Sequence, residues 1–163
     1  IIYLEDHGPI LYKQERVGYL GKPFTITKLR TMILDAEKTG AQWAKQDDSR
    51  ITRFGKVLRK MRIDELPQLI NVLAGDMSFV GPRPNLFNQD ILIKERDSRG
   101  VYSVKPGITG LSQIKKIDMS KPKLLAITDS RMIASLSIAN YFKYIFLTLS
   151  GKGSGDVINE KIK

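Results

Sequence analysis

The apolar and polar positions of this chain change period several times, and each change marks an element. Ile10 to Val17 and Phe24 to Leu29 have strand-like composition and flank Gly18-Tyr19-Leu20-Gly21-Lys22-Pro23, so the pattern predicts a β-hairpin with Gly and Pro in its turn. From Phe54 to Met61 the apolar residues Val57, Leu58 and Met61 recur at helical spacing, with Lys56, Arg59, Lys60 and Arg62 partly lining the other side. A second helix is predicted from about Glu65 to Leu73, with Leu66, Leu69, Ile70 and Leu73 as its apolar face and Gly75 as its stop. Asn85 to Asp97 reads as an amphipathic helix, and Ser120-Lys121-Pro122 opens another that runs to about Thr128. Met132 to Leu149 is rich in Leu, Ile, Phe and Tyr but is interrupted by Asn140, Lys143 and serines. Tyr141 and Tyr144 favour a helix lying in a bilayer surface over one spanning it, with a buried core helix as the alternative.

Between these segments the pattern is weaker. Asp35 to Lys38 predicts a short helix and Gly40 to Ser49 a polar loop, in which Trp43 would be a packing anchor or a membrane-interface contact. Gly81-Pro82-Arg83-Pro84 cannot be helix or central strand, because its prolines restrict their predecessors and remove two donors; it is expected to be a rigid loop presenting one Arg. Lys105 to Leu111 reads as a turn, and Gly151 to Gly155 as a flexible tail, since Walker spacing is absent and a helix precedes it. Together these elements predict a single α+β domain over residues 1–163, a β-hairpin with several amphipathic helices.

Composition narrows the chemistry. Lys plus Arg number 27 against 17 Asp plus Glu, a formal +10 that calls for an anionic partner: nucleic acid, an acidic bilayer or a phosphorylated small molecule. There is no cysteine, which excludes disulfides and thiolate chemistry, and the single His7 excludes a multi-histidine metal site. Oxygen ligands and a hard cation remain. The chain starts at Ile1-Ile2-Tyr3-Leu4 without an initiator Met or a charged leader, so it is expected to be a fragment lacking its N-terminus, and no stretch is long and apolar enough to predict a spanning helix.

The chemistry-bearing stretch is Arg62-Ile63-Asp64-Glu65-Leu66-Pro67-Gln68-Leu69. Two adjacent carboxylates follow Arg50, Arg53, Lys56, Arg59, Lys60 and Arg62, with no acidic residue between Ser49 and Ile63. One carboxylate can attack phosphorus while its neighbour holds a metal or handles a proton, and the cations would neutralise a phosphorylated substrate that otherwise repels the pair. The alternative is local: Asp64 as a helix cap, Glu65 as a first-turn anion, and Pro67 tolerated in the first turn. Lys28 and Arg30, one residue apart, would share a strand face, where solvated surface charge is the plainer explanation.

In combination the motifs resemble the bacterial sugar transferases of the monotopic phosphoglycosyl transferase family. The resemblance runs through Gly8-Pro9-Ile10, Gln14-Glu15-Arg16-Val17-Gly18, Lys28-Leu29-Arg30-Thr31-Met32, Arg50-Ile51-Thr52-Arg53-Phe54-Gly55, Leu58-Arg59-Lys60, Asp64 to Leu69, Asn71-Val72-Leu73, Gly75 to Pro84 and Pro106 to Gly110, about two thirds of the chain. It implies that Asp64 is a nucleophile toward the β-phosphate of a UDP-sugar, releasing UMP and passing the phosphosugar to polyprenyl phosphate. Glu65 would assist through Mg²⁺ or the phosphate, with Asp64 and Glu65 the metal carboxylates. Lys28, Arg30, Arg50, Arg53 and Arg59 would form the cationic surround, and Pro82, Arg83 and Pro84 would hold the nucleotide. The family also implies an N-terminal re-entrant helix on the cytoplasmic face of the bacterial inner membrane, of which Ile1 to Leu4 would be the end. Three departures stand out: Gly110-Leu111-Ser112-Gln113 where the family usually has Trp within this motif, Lys115-Lys116 for a common Gly-Arg, and Leu29 for Phe. The first two bear on the acceptor or sugar side. A different-class alternative is a non-enzymatic basic module binding nucleic acid or anionic membrane. It lacks base-stacking aromatics and recognised nucleic-acid motifs, and a polyanion would avoid cations gathered around carboxylates, so no nucleic-acid partner is expected.

Overall fold

The computed structural model describes residues 1–163 apart from Thr39, Trp43, Gln46, Asp47, 153–156 and 159–163; Trp43 and most of the Gly-rich 151–155 stretch therefore lie outside the described residues. The element order is α1 (Ile2–Asp6), β1 (Leu11–Val17), β2 (Pro23–Leu29), β3 (Ala44–Lys45), α2 (Arg53–Met61), α3 (Gln68–Leu73), β4 (Ser78–Val80), α4 (Asp90–Asp97), β5 (Gly107–Thr109), α5 (Leu111–Ile114), α6 (Pro122–Ala134), α7 (Ile138–Leu149) and β6 (Val157–Ile158), an α+β domain as the pattern predicts. One-turn 3₁₀ segments sit at Tyr19–Gly21, Ile63–Glu65 and Val101–Ser103.

β1 and β2 form the predicted antiparallel hairpin, with Tyr12 opposite Lys28, Gln14 opposite Ile26 and Arg16 opposite Phe24. Opposed residues share a sheet face and the side-chain period is two, so Tyr12, Gln14, Arg16, Ile26, Lys28 and Arg30 all project to one side. That side faces inward, because Arg16, Ile26, Lys28 and Arg30 are buried. The hairpin thus carries cations into the molecule, and surface solvation does not explain Lys28 and Arg30.

The apolar core lies in the C-terminal half. Leu92, Met119, Leu125 and Ala126 form one buried cluster, and Val80, Met132 and Tyr144 form a second with Leu111, Ile114 and Ile145 packed against it. β4 and β5 pair in parallel, Ser78 with Gly107 and Val80 with Thr109, so the 105–111 segment is a strand flanked by bends where the sequence pattern predicts only a turn. The chains run so close here that a Cβ on Gly107 would strike the backbone of Gly81. Gly55 is held against the Thr31 backbone in the same way, and this contact docks α2 on the end of the hairpin.

Several predicted elements differ from those observed. Residues 34–38 form successive turns rather than a helix, with Ala36 N–H bonding Ile33 C=O and Lys38 N–H bonding Asp35 C=O. The Asn85–Asp97 helix begins only at Asp90, since the Asn85 amide is taken up in buried tertiary hydrogen bonds. The Ser120 helix continues to Ala134, and the long apolar run is broken over 135–137, where Ser137 caps α7 through Asn140 N–H.

The largest difference is α3. Its predicted apolar face points outward, with Leu66, Leu69, Ile70 and Leu73 exposed and Leu73 at 88 %, while Gln68 and Asn71 are buried. Asn71 explains the inversion: its Oδ1 accepts from Thr27 N–H at 3.2 Å and its Nδ2 donates to Thr25 C=O at 2.8 Å, pairing the backbone of the β2 edge. α7 also shows two apolar faces, one packed through Tyr144 and Ile145 and one exposed through Ile138, Phe142, Phe146 and Leu149. Among the described residues no helix is long and apolar enough to cross a membrane.

Candidate active site

Asp64 and Glu65 are delivered by a turn rather than by a helix. α2 ends at Arg62, whose left-handed backbone (φ 57°) lets its N–H bond Arg59 C=O and Leu58 C=O before the chain enters the 3₁₀ turn Ile63–Glu65. A non-glycine residue holds that conformation at a cost, and here it turns both carboxylates inward: Asp64 is 5 % exposed and Glu65 7 %. Pro67 is the N-cap residue of α3 and no side chain caps that helix, so Asp64 does not serve as its cap. The helix-cap part of the local alternative, for Asp64, therefore fails on geometry.

Glu65 is held by cations from two other elements. Arg83 Nη2 donates to Glu65 Oε1 at 2.5 Å, and Lys28 Nζ of β2 lies 3.7 Å from the same oxygen. The loop carrying Arg83 is fixed as its prolines predict: Gly81 N–H bonds Thr109 C=O, Gly107 N–H bonds Pro82 C=O, and Arg16 donates to Pro84 C=O at 3.1 Å. Pro82 and Pro84 are buried.

Asp64 opens onto a cavity of about 200 Å³, lined also by Lys28, Arg30, Arg59, Arg16, Gln14 and Tyr12 among others. Arg59 Nε donates to Thr31 Oγ1 at 2.8 Å, but its buried Nη1 has no hydrogen-bond partner. Such a nitrogen at the wall of a cavity can be satisfied by water or by an anion placed there. Arg30 borders the same space with its guanidinium bonded to both carboxylate oxygens of Asp6 and to Pro9 C=O, so much of its charge is neutralised within the chain. The structure does not bring Arg50 and Arg53 to the cavity wall. Arg50 forks onto Asp48 and donates to Ala36 C=O, and its pKa is raised chiefly by that Asp48 hydrogen bond; Arg53 is exposed at the first turn of α2.

On the other side of the acidic pair, Glu65 borders an apolar groove of about 410 Å³ between the outward face of α3 and the end of α7, lined by Met61, Leu66, Leu69, Phe79, Ile145 and Leu149 among others. The apparent misdirection of the α3 apolar face builds this groove.

Beneath the Pro-rich loop lies a sealed polar network that sequence patterns did not reveal. Arg96 of α4 donates to Asp129 Oδ2 at 2.6 and 3.1 Å, to Asn85 Oδ1 at 2.9 Å and to the carbonyl of Arg83 at 2.8 Å. Ser112 Oγ donates to Asp129 Oδ1 at 2.6 Å, and Tyr102 O–H reaches Asn85 Oδ1, burial raising the Tyr102 pKa. Ser112, the departure expected to touch the acceptor or sugar side, is instead buried in this network and lines neither cavity. Its residues are scattered from Asn85 to Asp129, and of them the sequence singled out Ser112 alone, as a departure from a motif.

The small α+β fold thus holds an inward-facing acidic pair among cations, beside a locked Gly-Pro-Arg-Pro loop. The chain belongs to the bacterial sugar transferase family, whose model matches residues 1–152. It is 62 % identical over 84 residues, 52 % of this chain and 47 % of the relative, to a putative undecaprenyl-phosphate N-acetylgalactosaminyl 1-phosphate transferase of Bacillus subtilis. It is 47 % identical over 116 residues to a UDP-glucose:undecaprenyl-phosphate glucose-1-phosphate transferase of Caulobacter vibrioides, covering 70 % of this chain and 43 % of that one. To the Escherichia coli protein of the same description it is 36 % identical over 156 residues, 91 % of this chain and 33 % of the relative. The chain thus spans between a third and a half of the length of these curated relatives.

Proposed function

We propose that this domain transfers a sugar-1-phosphate from a UDP-sugar to polyprenyl phosphate, the step that initiates bacterial glycan assembly, through a covalent intermediate on Asp64. The observation that carries this is the position of the acidic pair, Asp64 in the wall of a cavity that also holds Arg16, Lys28, Arg30 and Arg59, and Glu65 beside an apolar groove. One side suits a nucleotide diphosphate and the other an isoprenoid tail. The buried, unpartnered Nη1 of Arg59 and the ammonium of Lys28 suit the diphosphate. Arg83, with Pro82 and Pro84 fixing its loop, would orient the nucleotide.

In the first half-reaction a carboxylate oxygen of Asp64 bonds the sugar-bearing phosphorus, and the bond to the bridging oxygen breaks as UMP leaves with the electron pair. In the second, a phosphate oxygen of the lipid attacks the same phosphorus, freeing Asp64 and giving the lipid diphosphosugar. Asp64 and Glu65 are hard oxygen donors, and no group of three or more His, Cys, Asp or Glu gathers to hold a metal among the described residues. That donor set fits Mg²⁺, which takes one or two carboxylates and completes its shell with substrate phosphate and water. When bound, it would neutralise charge on the transferring phosphoryl group. Glu65, oriented by Arg83 and Lys28, would keep its carboxylate at the phosphoryl group. The groove and the exposed apolar faces of α3 and α7 support docking at the cytoplasmic face of the inner membrane, where a soluble nucleotide sugar meets a lipid acceptor.

Intact-protein mass spectrometry after mixing with UDP-sugars in the absence of lipid tests the scheme. A phosphosugar adduct, formed with UMP release and abolished by EDTA, is expected. Intersecting double-reciprocal plots with no trapped adduct would establish direct attack by the lipid instead.

A further inference from the structure

The cavity beside Asp64 contains a sector with a different chemistry from its cations. Tyr12, Gln14 and Glu37 line it together, brought there by alternate positions of β1 and by the turns after the hairpin. Glu37 Oε2 accepts from the Tyr12 hydroxyl at 2.6 Å, and Glu37 Oε1 accepts from Gln14 Nε2 at 2.8 Å. The amide of Gln14 is itself oriented, because its Oε1 accepts from Arg16 Nε at 2.8 Å while Arg16 Nη1 reaches Pro84 C=O. A chain of hydrogen bonds therefore runs from the Pro-rich loop to the Glu37 carboxylate and fixes both its oxygens.

We infer that Glu37, clamped by Tyr12 and Gln14, is a subsite for a vicinal diol of the bound nucleotide sugar. A carboxylate repels a diphosphate, so the part of the substrate facing Glu37 is the neutral, hydroxyl-bearing part. Each carboxylate oxygen has two acceptor sites and spends one on its clamp, which leaves a matched pair to accept from two adjacent hydroxyls. Hydrogen bonds to a charged acceptor are the strong ones, and a site built to hold hydroxyls discriminates sharply against a substrate lacking one. Two parts of a UDP-sugar carry such a pair, the ribose and the pyranose. The inference rests on the proposed transfer from a UDP-sugar.

The test measures kcat/KM for nucleotide release, with polyprenyl phosphate supplied as acceptor, by the wild-type chain, Glu37→Gln and Tyr12→Phe. The donors are UDP-glucose, UDP-galactose, their N-acetylamino counterparts and the 2′-deoxyuridine analogue of whichever donor the wild type uses best. Absence of release from every donor by the wild type would defeat the proposed function itself. Given turnover, a ribose diol predicts that the wild type prefers the ribo donor by about 10- to 100-fold and that Glu37→Gln removes most of this preference. A pyranose diol predicts that Glu37→Gln leaves the ribo preference unchanged and shifts the ratios among the sugars by a similar factor. Tyr12→Phe, which deletes one oxygen and little volume, moves the same ratio several-fold. Equal loss of kcat/KM for all donors in both variants, with every ratio unchanged, would overturn the inference and leave Glu37 a tie between hairpin and turn.

Discussion

Two arginine–carboxylate pairs meet at one residue of the Pro-rich loop and behave as opposites. The Arg83 side chain reaches Glu65 at the edge of the groove, whereas the Arg83 carbonyl is held by Arg96, whose own partner Asp129 is wholly buried. Around Arg96 and Asp129 the charged groups all find protein partners, through Asn85, Ser112 and the Arg83 carbonyl, although the neighbouring Gln113 Nε2 is buried without one. Near Glu65 the sites are incomplete: Arg59 Nη1 and Gln68 Nε2 are buried without partners. A buried charge pair with complete partners holds a structure in one arrangement, and unfilled donors at a cavity are available to a ligand. The scaffold charge and the working charge are thus distinguished by satisfaction more than by burial.

The largest expected effect tests the open side of that contrast. Asp64→Asn removes the proposed nucleophile, and transfer is expected to fall by on the order of 10⁴- to 10⁶-fold, as for residues that carry a covalent step. Its melting temperature changes little. Retention of more than a few per cent of the UMP-release rate would remove Asp64 from that role.

The sealed side responds in the reverse sense. Asp129→Asn leaves the buried Arg96 charge without its counterion, and about 3 to 5 kcal/mol of stability is lost. In a domain of this size that lowers the melting temperature by roughly 10 °C, while release per folded molecule changes far less than in Asp64→Asn. An unchanged melting curve would mean that the network is dispensable.

Glu65→Gln falls between the two. It weakens the ion pairs with Arg83 and Lys28 and reduces turnover by about 10²-fold, with UDP-sugar affinity in a binding assay nearly preserved. Near-normal turnover would reduce Glu65 to a structural anchor for the loop.

The same contrast explains what was legible in the sequence. The acidic pair stood out because Asp64 and Glu65 interrupt a cation-rich segment, and the hairpin because its turn residues and strand periods agree. Arg50 and Arg53 are near in sequence but point elsewhere, one onto Asp48 and one to solvent, since helix and turn geometry disperse what linear proximity gathers. Arg96 and Asp129 gave no signal, because a single buried ion pair across 33 positions leaves no period to detect. α3 was recognisable as a helix but not by orientation: periodicity finds an apolar stripe without saying what covers it. Here the stripe borders a groove, and the polar side is inward because Asn71 completes the edge of β2.

Arg30 and Asp6 form a third pair, between the sealed and the open extremes, and it yields the smallest effect. Arg30 is buried at the cavity wall while Asp6 sits toward the surface on α1, so the pair ties the N-terminal segment to the hairpin. The Arg30 hydrogen bond, aided by the Gly8 N–H, holds the Asp6 carboxyl below its ordinary value against the opposing effect of burial. A carboxyl depressed in the folded state contributes stability that is present above its unfolded pKa and is lost as pH falls through the lower, folded value. Docking of α1 is therefore constant through neutral and mildly acidic pH and weakens only below the usual carboxylate range. Hydrogen-exchange protection of the backbone amides of residues 2–8, compared with that of α6 from pH 5 downward, reads this directly. Asp6→Asn is expected to speed exchange in that segment at neutral pH, to flatten its pH dependence and to leave α6 unaffected. The same pH dependence in Asp6→Asn as in the wild type would show that another group controls the segment, and that the third pair belongs with the surface ion pairs that contribute little.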